Sequence, residues 1–177
     1  MEKSLKSTAT NLGLILGALL TLYTAVAYLF KRDLLVNLWV ITLIIPLFII
    51  GYGIFSTAKI KSLQNGFLSF KEAFSGFFIP VAIGIMVSTL ITIILFNFID
   101  TDAAIEVKNL LIENTVGMLK NAGAPTDIIA EKVEEIESQD TFSLGIQLKS
   151  LAQSLIFFAV IGLIVAAAMK KSKPANE

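Results

Sequence analysis

The sequence predicts an all-α, polytopic membrane protein: four transmembrane helices, with a helical hairpin inserted between spans three and four. Three observations carry this. Apolar residues make up 55% of the 177 residues, above the roughly 45–50% of soluble domains, and mean hydropathy is +0.80. Charged residues are only 16%, against a usual figure of about 25%. The apolar residues fall into four blocks, each near the roughly 20 residues a helix needs to cross about 30 Å of hydrocarbon.

The first block, 11–30, contains no charge and follows a short leader carrying Lys3 and Lys6. Leader, apolar run and the small-x-small triplet Ala25-Val26-Ala27 together resemble a secretory signal peptide. The run exceeds the roughly 7–15 residues of a signal h-region, and Tyr23, Tyr28 and Phe30 crowd the cleavage position, so a retained span is expected. Gly13 and Gly17 form GxxxG, a spacing that lets two helix backbones approach closely. Lys31-Arg32-Asp33 is a tight turn into the second block, 34–55. Trp39 and Tyr52 near its two ends suit the aromatic belts of a bilayer. Pro46 in its middle removes a backbone donor and is a candidate kink.

Ser56 to Ser69 reads as a polar loop with Lys59 and Lys61. Ser69 and Glu72 then form an S-x-x-E capping box, the signature of a helix start. Phe70, Phe74, Phe77 and Phe78 recur at i, i+4, i+7 and i+8, which is one helical face. Residues 70–79 are therefore expected as an amphipathic helix lying in the interface, passing through a second candidate kink at Pro80 into span three, 80–99. The alternative is one long span entered directly. From Val81 to Ile99 twelve residues are Val, Ile, Leu or Phe, favouring insertion by roughly 4–7 kcal/mol. Asn97 is its one strongly polar side chain, and Gly84 and Ser88 make a second small-xxx-small pair.

Residues 100–147 are too polar for a bilayer. From Asp100 to Lys149 there are ten acidic and four basic side chains, a formal charge of −6. Val107, Leu110, Leu111, Val116, Met118 and Leu119 stripe a helix from about Ala103 to Asn121. Gly123-Ala124-Pro125 breaks it, Thr126 or Asp127 can cap a successor, and Ile128, Ile129, Val133 and Ile136 give that helix an apolar side. Apolar stripes that need burial indicate a folded hairpin and not an acidic tail. Span four, 148–169, closes on Lys170, Lys171 and Lys173.

Basic residues near span ends set orientation. Lys3, Lys6, Lys59, Lys61, Lys71, Lys170, Lys171 and Lys173 lie with the two termini and the 56–69 loop, opposed by the acids Glu2, Glu72 and Glu177. Lys31, Arg32 and Lys149 are on the other side. Both termini are expected in the cytoplasm, with the acidic hairpin outside.

There is no cysteine and no histidine. That excludes disulfides, thiolate metal sites and cysteine nucleophiles, and removes the commonest general base and metal ligand. No charge falls in the centre of a span, where proton-coupled carriers and voltage sensors keep theirs. P-loop, HExxH, GxSxG and EF-hand patterns are absent. Glu131, Glu134 and Glu135 share a helical face and could hold a divalent cation loosely, but a solvated face is the better reading. No catalytic, cofactor or metal residue is assigned.

Phe70-Lys71-Glu72-Ala73-Phe74 ahead of a span, a loop carrying Met118 and Gly123 between helices, and a last span ending in Lys170-Lys171 form a combination. It resembles a family of four-span membrane proteins common in Bacteroidetes, domain of unknown function 4199. The resemblance covers nearly the whole chain. It implies a four-span fold in a bacterial inner membrane and no catalytic residues. The expected role is a non-enzymatic accessory or interaction protein. Its expected partners are the lipid bilayer and a second copy or another membrane protein, not nucleic acid, through Gly13, Gly17, Gly84, Ser88 or the phenylalanine face. A small transport or channel component, gated at Pro46 and Pro80, is the alternative, and a membrane enzyme comes last.

Overall fold

The computed structural model describes residues 2–171, with side chains from Leu5 onward. The side chains of Glu2, Lys3, Lys173 and Glu177, which enter the charge count, lie outside the described residues. The fold is all-α: α1 (Glu2–Phe30), α2 (Ile45–Leu63), α3 (Phe70–Ile94), α4 (Thr101–Asn121), α5 (Thr126–Ser138) and α6 (Leu144–Met169). A 3-10 turn covers Arg32–Leu35, and π-helical turns occupy Val40–Ile44 and Leu95–Ile99. Among the described residues, four segments are long and apolar enough to cross a bilayer: Leu5–Phe30, Val40–Leu63, Phe70–Ile99 and Leu144–Met169.

Two segments differ from the sequence reading. The second span runs from Val40 to Leu63 and not over 34–55, so residues 34–39 belong to the connection before it, and Ser56, Thr57 and Lys59 are helical and not loop. Ser56 and Thr57 are fully buried, which their hydroxyls tolerate because each donates to a carbonyl, Ser56 to Gly76 at 2.9 Å and Thr57 to Gly53 at 2.8 Å. Residues 70–79 are the opening turns of α3 and not a separate helix. Phe77 on their apolar face is fully buried in protein.

The chain forms two compact units. One takes the chain up to Leu20, Leu47–Ser88, and the chain from Leu151; the other takes Thr21–Pro46 and Thr89–Ser150.

In the first unit, small residues bring helices together. A Cβ built on Gly13 would lie 2.7 Å from the Ile83 Cβ and 3.1 Å from the Pro80 Cα, and one on Gly17 would lie 2.8 Å from the Val87 Cβ. From the other side, a Cβ on Gly84 would lie 2.6 Å from the Leu16 Cγ. The GxxxG face of α1 is thus occupied by α3 of the same chain, with buried Leu16 seated over Gly84. Ser88, one turn beyond Gly84, is half-buried. Phe77 wedges between α2 and α6, since Cβ atoms on Gly53 and Gly162 would come within 2.5 and 2.9 Å of its ring. Phe74 also meets Gly162 and stacks on Phe78 with centroids 5.3 Å apart. Phe70 stays exposed.

Pro80 sits inside α3 without ending it. It has no N–H, so the carbonyl four residues earlier loses its usual donor. That carbonyl is Gly76, the one the buried Ser56 hydroxyl reaches from α2. Neighbouring hydroxyls make proline tolerable in membrane helices in this way. Pro46 lies in the first turn of α2, directly after the π turn, in which the Ile45 N–H already donates to Val40.

The α2–α3 connection is defined by its hydrogen bonds. Asn65 (φ 56°) and Gly66 (φ 83°) are left-handed, and Asn65 N–H to Ser62 at 3.2 Å with Gly66 N–H to Lys61 at 3.0 Å complete a Schellman end to α2. The capping box forms: Ser69 N–H and Oγ–H donate to the Glu72 carboxylate at 2.9 and 2.7 Å, and Glu72 N–H donates to Ser69 Oγ at 3.3 Å. Between the two motifs, Leu68 and Lys171 exchange backbone hydrogen bonds of 2.9 and 2.8 Å. Lys61 Nζ donates to the Met169 carbonyl at 2.7 Å, capping α6. Leu5, Ala9, Ile60, Leu68, Ala73 and Ala166 form a buried cluster.

Two outcomes are expected. In detergent, Ser56→Ala lowers unfolding stability by about 0.6–1.7 kcal/mol, the range for hydrogen bonds between membrane helices. In a Pro80→Ala background that cost shrinks, because the substituted alanine supplies the missing donor; additive effects in the double-mutant cycle refute the pairing. Gly84→Ala destabilises by about 1–3 kcal/mol through overpacking, and Leu16→Ala in the same chain recovers part of the loss.

Candidate functional site

The second unit contains the polar structure. It is built on Val36, Phe96, Ala103 and Val107, all buried, with Tyr28, Leu110, Leu111 and Phe142 packed around them. Phe96 lies 4.4 Å from Phe142 and 6.4 Å from Tyr28 by ring centroids. Asn97, the one strongly polar side chain of the third span, donates to the carbonyls of Ile93 at 3.0 Å and Phe142 at 2.9 Å.

Asp100 is the junction. The π turn before it ends with its N–H donating to Leu95 at 2.8 Å. Its backbone is then extended, and it becomes the N-cap of α4, with Oδ1 accepting from Ala103 N–H at 2.9 Å. Oδ2 accepts from the Tyr28 hydroxyl at 2.5 Å and lies 3.7 Å from the Arg32 guanidinium. The Tyr28 hydroxyl first, then the Ala103 amide, hold the Asp100 carboxyl below its ordinary value. Arg32 also pairs with Glu106 on the next turn of α4, and its guanidinium lies 4.9 Å from the Tyr28 ring centroid. Asp33 accepts from Asn114 Nδ2 at 2.8 Å, and the Leu34 carbonyl accepts from the Tyr23 hydroxyl at 2.6 Å. The short 31–39 connection is therefore held to both α1 and α4.

The α4–α5 pair has its own fastenings. α4 ends in a Schellman motif: Gly123 (φ 73°) donates to Lys120 at 3.0 Å and Ala124 to Leu119 at 2.9 Å. Pro125, not Thr126 or Asp127, takes the N-cap position of α5, because both following residues lie in its first turn. Lys108 Nζ donates to the carbonyls of Glu137 at 2.8 Å and Gln139 at 2.7 Å, fixing the far end of α5 to α4. Ile129, Val133 and Ile136 are half-buried, while Ile128 is exposed. Lys132 pairs with Glu135 at 2.5 Å, which raises its pKa. Glu131, Glu134 and Glu135 are exposed. Among the described residues, no three acidic side chains converge as a metal would need.

Beside α4 lies an open groove of about 870 Å³. Lys31, Asp33 and Trp39 line one side, and Glu113, Asn114 and Met118 the other. Asn37 on its floor is not free for chemistry: Oδ1 accepts from the N–H groups of Trp39 at 3.1 Å and Val40 at 3.3 Å, capping the second span.

Of the residues singled out from sequence, the structure gathers Gly13, Gly17, Gly84, Phe74, Phe77 and Pro80 into the helix seams of the first unit. Phe70 stays exposed, and Pro46 falls in the second unit. The Tyr52 hydroxyl donates to the Leu12 carbonyl at 2.8 Å. Sequence reasoning missed the cluster of Tyr28, Arg32, Asp100 and Glu106 and the groove. A signal existed: Arg32 is the only arginine, and it stands directly after a span in a turn too short to be a flexible loop.

These features define a class: a four-span, all-α membrane protein with a folded, polar helix pair between its third and fourth spans. Within that class the chain belongs to the family described as "Protein of unknown function (DUF4199)", whose model matches residues 11–171. No curated protein and no solved structure matches the chain.

Acid should loosen the Asp100 junction. A carboxyl whose pKa is lowered on folding adds stability above its unfolded value of about 3.9, and loses it as pH falls through the folded value. The thermal midpoint in detergent should therefore drop below about pH 4. Asp100→Asn, which keeps a capping acceptor, should lower the midpoint at neutral pH and flatten that acid slope. An unchanged slope removes Asp100 from the account.

Proposed function

We propose that the protein is a non-enzymatic, multi-pass component of a bacterial inner membrane, with both termini cytoplasmic, that presents the α4–α5 pair outside as a docking element for another membrane protein. The observation that carries this is the fastening of α4. Tyr28, Arg32 and Asp33 hold its start and middle, and Lys108 ties it to α5. A linker between spans needs no such order, whereas a preorganised surface binds with less entropic cost. The exposed acids of α5 give that surface a negative face suited to a basic partner.

The orientation rests on the lysines that flank the termini and the α2–α3 turn. The non-enzymatic reading rests on the spans, whose central parts carry no Asp, Glu, Lys or Arg. Because Gly13, Gly17 and Gly84 are used within the chain, self-association through GxxxG is no longer the favoured contact.

Two measurements test the reading. The native chain lacks cysteine, so single-cysteine variants label cleanly. Ser138→Cys should react with an impermeant maleimide on intact cells, and Gln64→Cys only after lysis; the reverse pattern overturns the orientation. Photocrosslinkers at Ile128 or Glu134 should trap one stoichiometric membrane protein, and charge reversal at Glu131, Glu134 and Glu135 should reduce its yield. Recovery of uncrosslinked monomer alone counts against docking.

A further inference from the structure

The groove beside α4 goes beyond the docking role, since it faces the membrane-proximal connection and not α5. We propose that it binds the headgroup of a zwitterionic phospholipid with a primary amine, of the phosphatidylethanolamine type. Lys31 takes the phosphate, and Asp33 and Glu113 take the ammonium.

The level of the groove is set by the chain. Its Lys31, Asp33, Asn37 and Trp39 all lie between Phe30, the last residue of one span, and Val40, the first of the next. So short a connection cannot carry them away from the headgroup layer. Leu29, Phe30 and Trp39 beside it are 70%, 83% and 72% exposed. Apolar residues that open at the end of a span face lipid. The volume of about 870 Å³ is within the roughly 300–1,000 Å³ typical of small-molecule sites.

The charges select the headgroup. The Lys31 ammonium and the Glu113 carboxylate have no ion pair or hydrogen bond among the described residues. Asp33 has a neutral partner, Asn114, which leaves its charge uncompensated. One cation and two anions line the same groove, which suits a ligand with separated positive and negative groups. A purely anionic headgroup would meet the two carboxylates. A choline headgroup has no N–H to give them, whereas a primary ammonium has three donors.

The test uses the full chain purified in detergent. It is exposed to equal amounts of phosphatidylethanolamine, phosphatidylcholine and phosphatidylglycerol with identical acyl chains, and read by native mass spectrometry. Phosphatidylethanolamine should be retained at least about tenfold over the others, the ratio expected for one net hydrogen bond to a charged group. Lys31→Gln should lower retention of both zwitterionic lipids, and Glu113→Gln should bring phosphatidylethanolamine down to the phosphatidylcholine level. Lys149→Gln, exposed and away from the groove, should do neither. Both groove side chains are solvent-facing, and circular dichroism checks that the variants keep their helicity. A second readout needs no variant. Trp39 is the only tryptophan, so its emission should shift with short-chain phosphatidylethanolamine and not with short-chain phosphatidylcholine. Equal retention of the lipids, strongest retention of phosphatidylglycerol, or a preference that survives Glu113→Gln overturns the proposal. None of these outcomes bears on the orientation or on a protein partner.

Discussion

The Ser56 hydroxyl on the Gly76 carbonyl answers the constraint every spanning helix faces. In hydrocarbon there is no water to satisfy a freed backbone group, so the chain must supply the partner itself. Pro80 frees one carbonyl in the middle of α3, and α2 must come close enough to reach it. That closeness in turn needs small residues. Gly76 sits 3.3 Å from Ile60 by its would-be Cβ, and Gly53 leaves room for the Phe77 ring. On the other face, Gly13 lets α1 touch α3 at Pro80 itself. Proline, serine and glycines therefore form one arrangement, in which losing the Ser56 hydroxyl strands a carbonyl and enlarging a glycine forces backbones apart.

The second unit meets a different demand, the exit from a span into a polar helix. Asp100 ends a π turn and starts α4 within one residue. Its carboxylate completes the cap and receives Tyr28, and Arg32 bridges it to Glu106. The side chains of Arg32 and Asp100 are each only 28% exposed, so the pair is screened less than an open surface bridge. Asn97 and Phe142 add a neutral tie between the third span and the chain leading into α6.

Much of this fold was legible. Hydropathy gave the four spans, the S-x-x-E pattern gave the start of α3, and the break at Gly123 gave the end of α4, because each is a local property of a few neighbouring residues. The small-xxx-small pairs marked faces that do pack. What a single sequence does not encode locally is the partner. Nothing near Gly13 says that it meets Ile83 and not a second copy, and nothing near Ser56 says that its acceptor is 20 residues away. Ser56 and Thr57 look like loop residues by composition, and their distant or local acceptors are what let their hydroxyls be buried. The phenylalanine face at 70–79 was seen correctly as apolar, but periodicity cannot distinguish lipid from protein as its environment. The motif Phe70-Lys71-Glu72-Ala73-Phe74 acquires a physical meaning from the same geometry: a cap at Glu72, a buried contact at Ala73 and a seam residue at Phe74.

The tie between the α2–α3 turn and the end of α6 has a consequence for how the protein is made. Lys61 and Leu68 find their acceptors at Met169 and Lys171. Lys61 precedes Met169 by 108 residues, which a ribosome adds in roughly 5–20 s. For that interval the growing chain holds a lysine and a backbone edge whose partners are not yet made. Completion of the last turn of α6 closes both at once. The α2–α3 turn is thus closed only once α6 is in place.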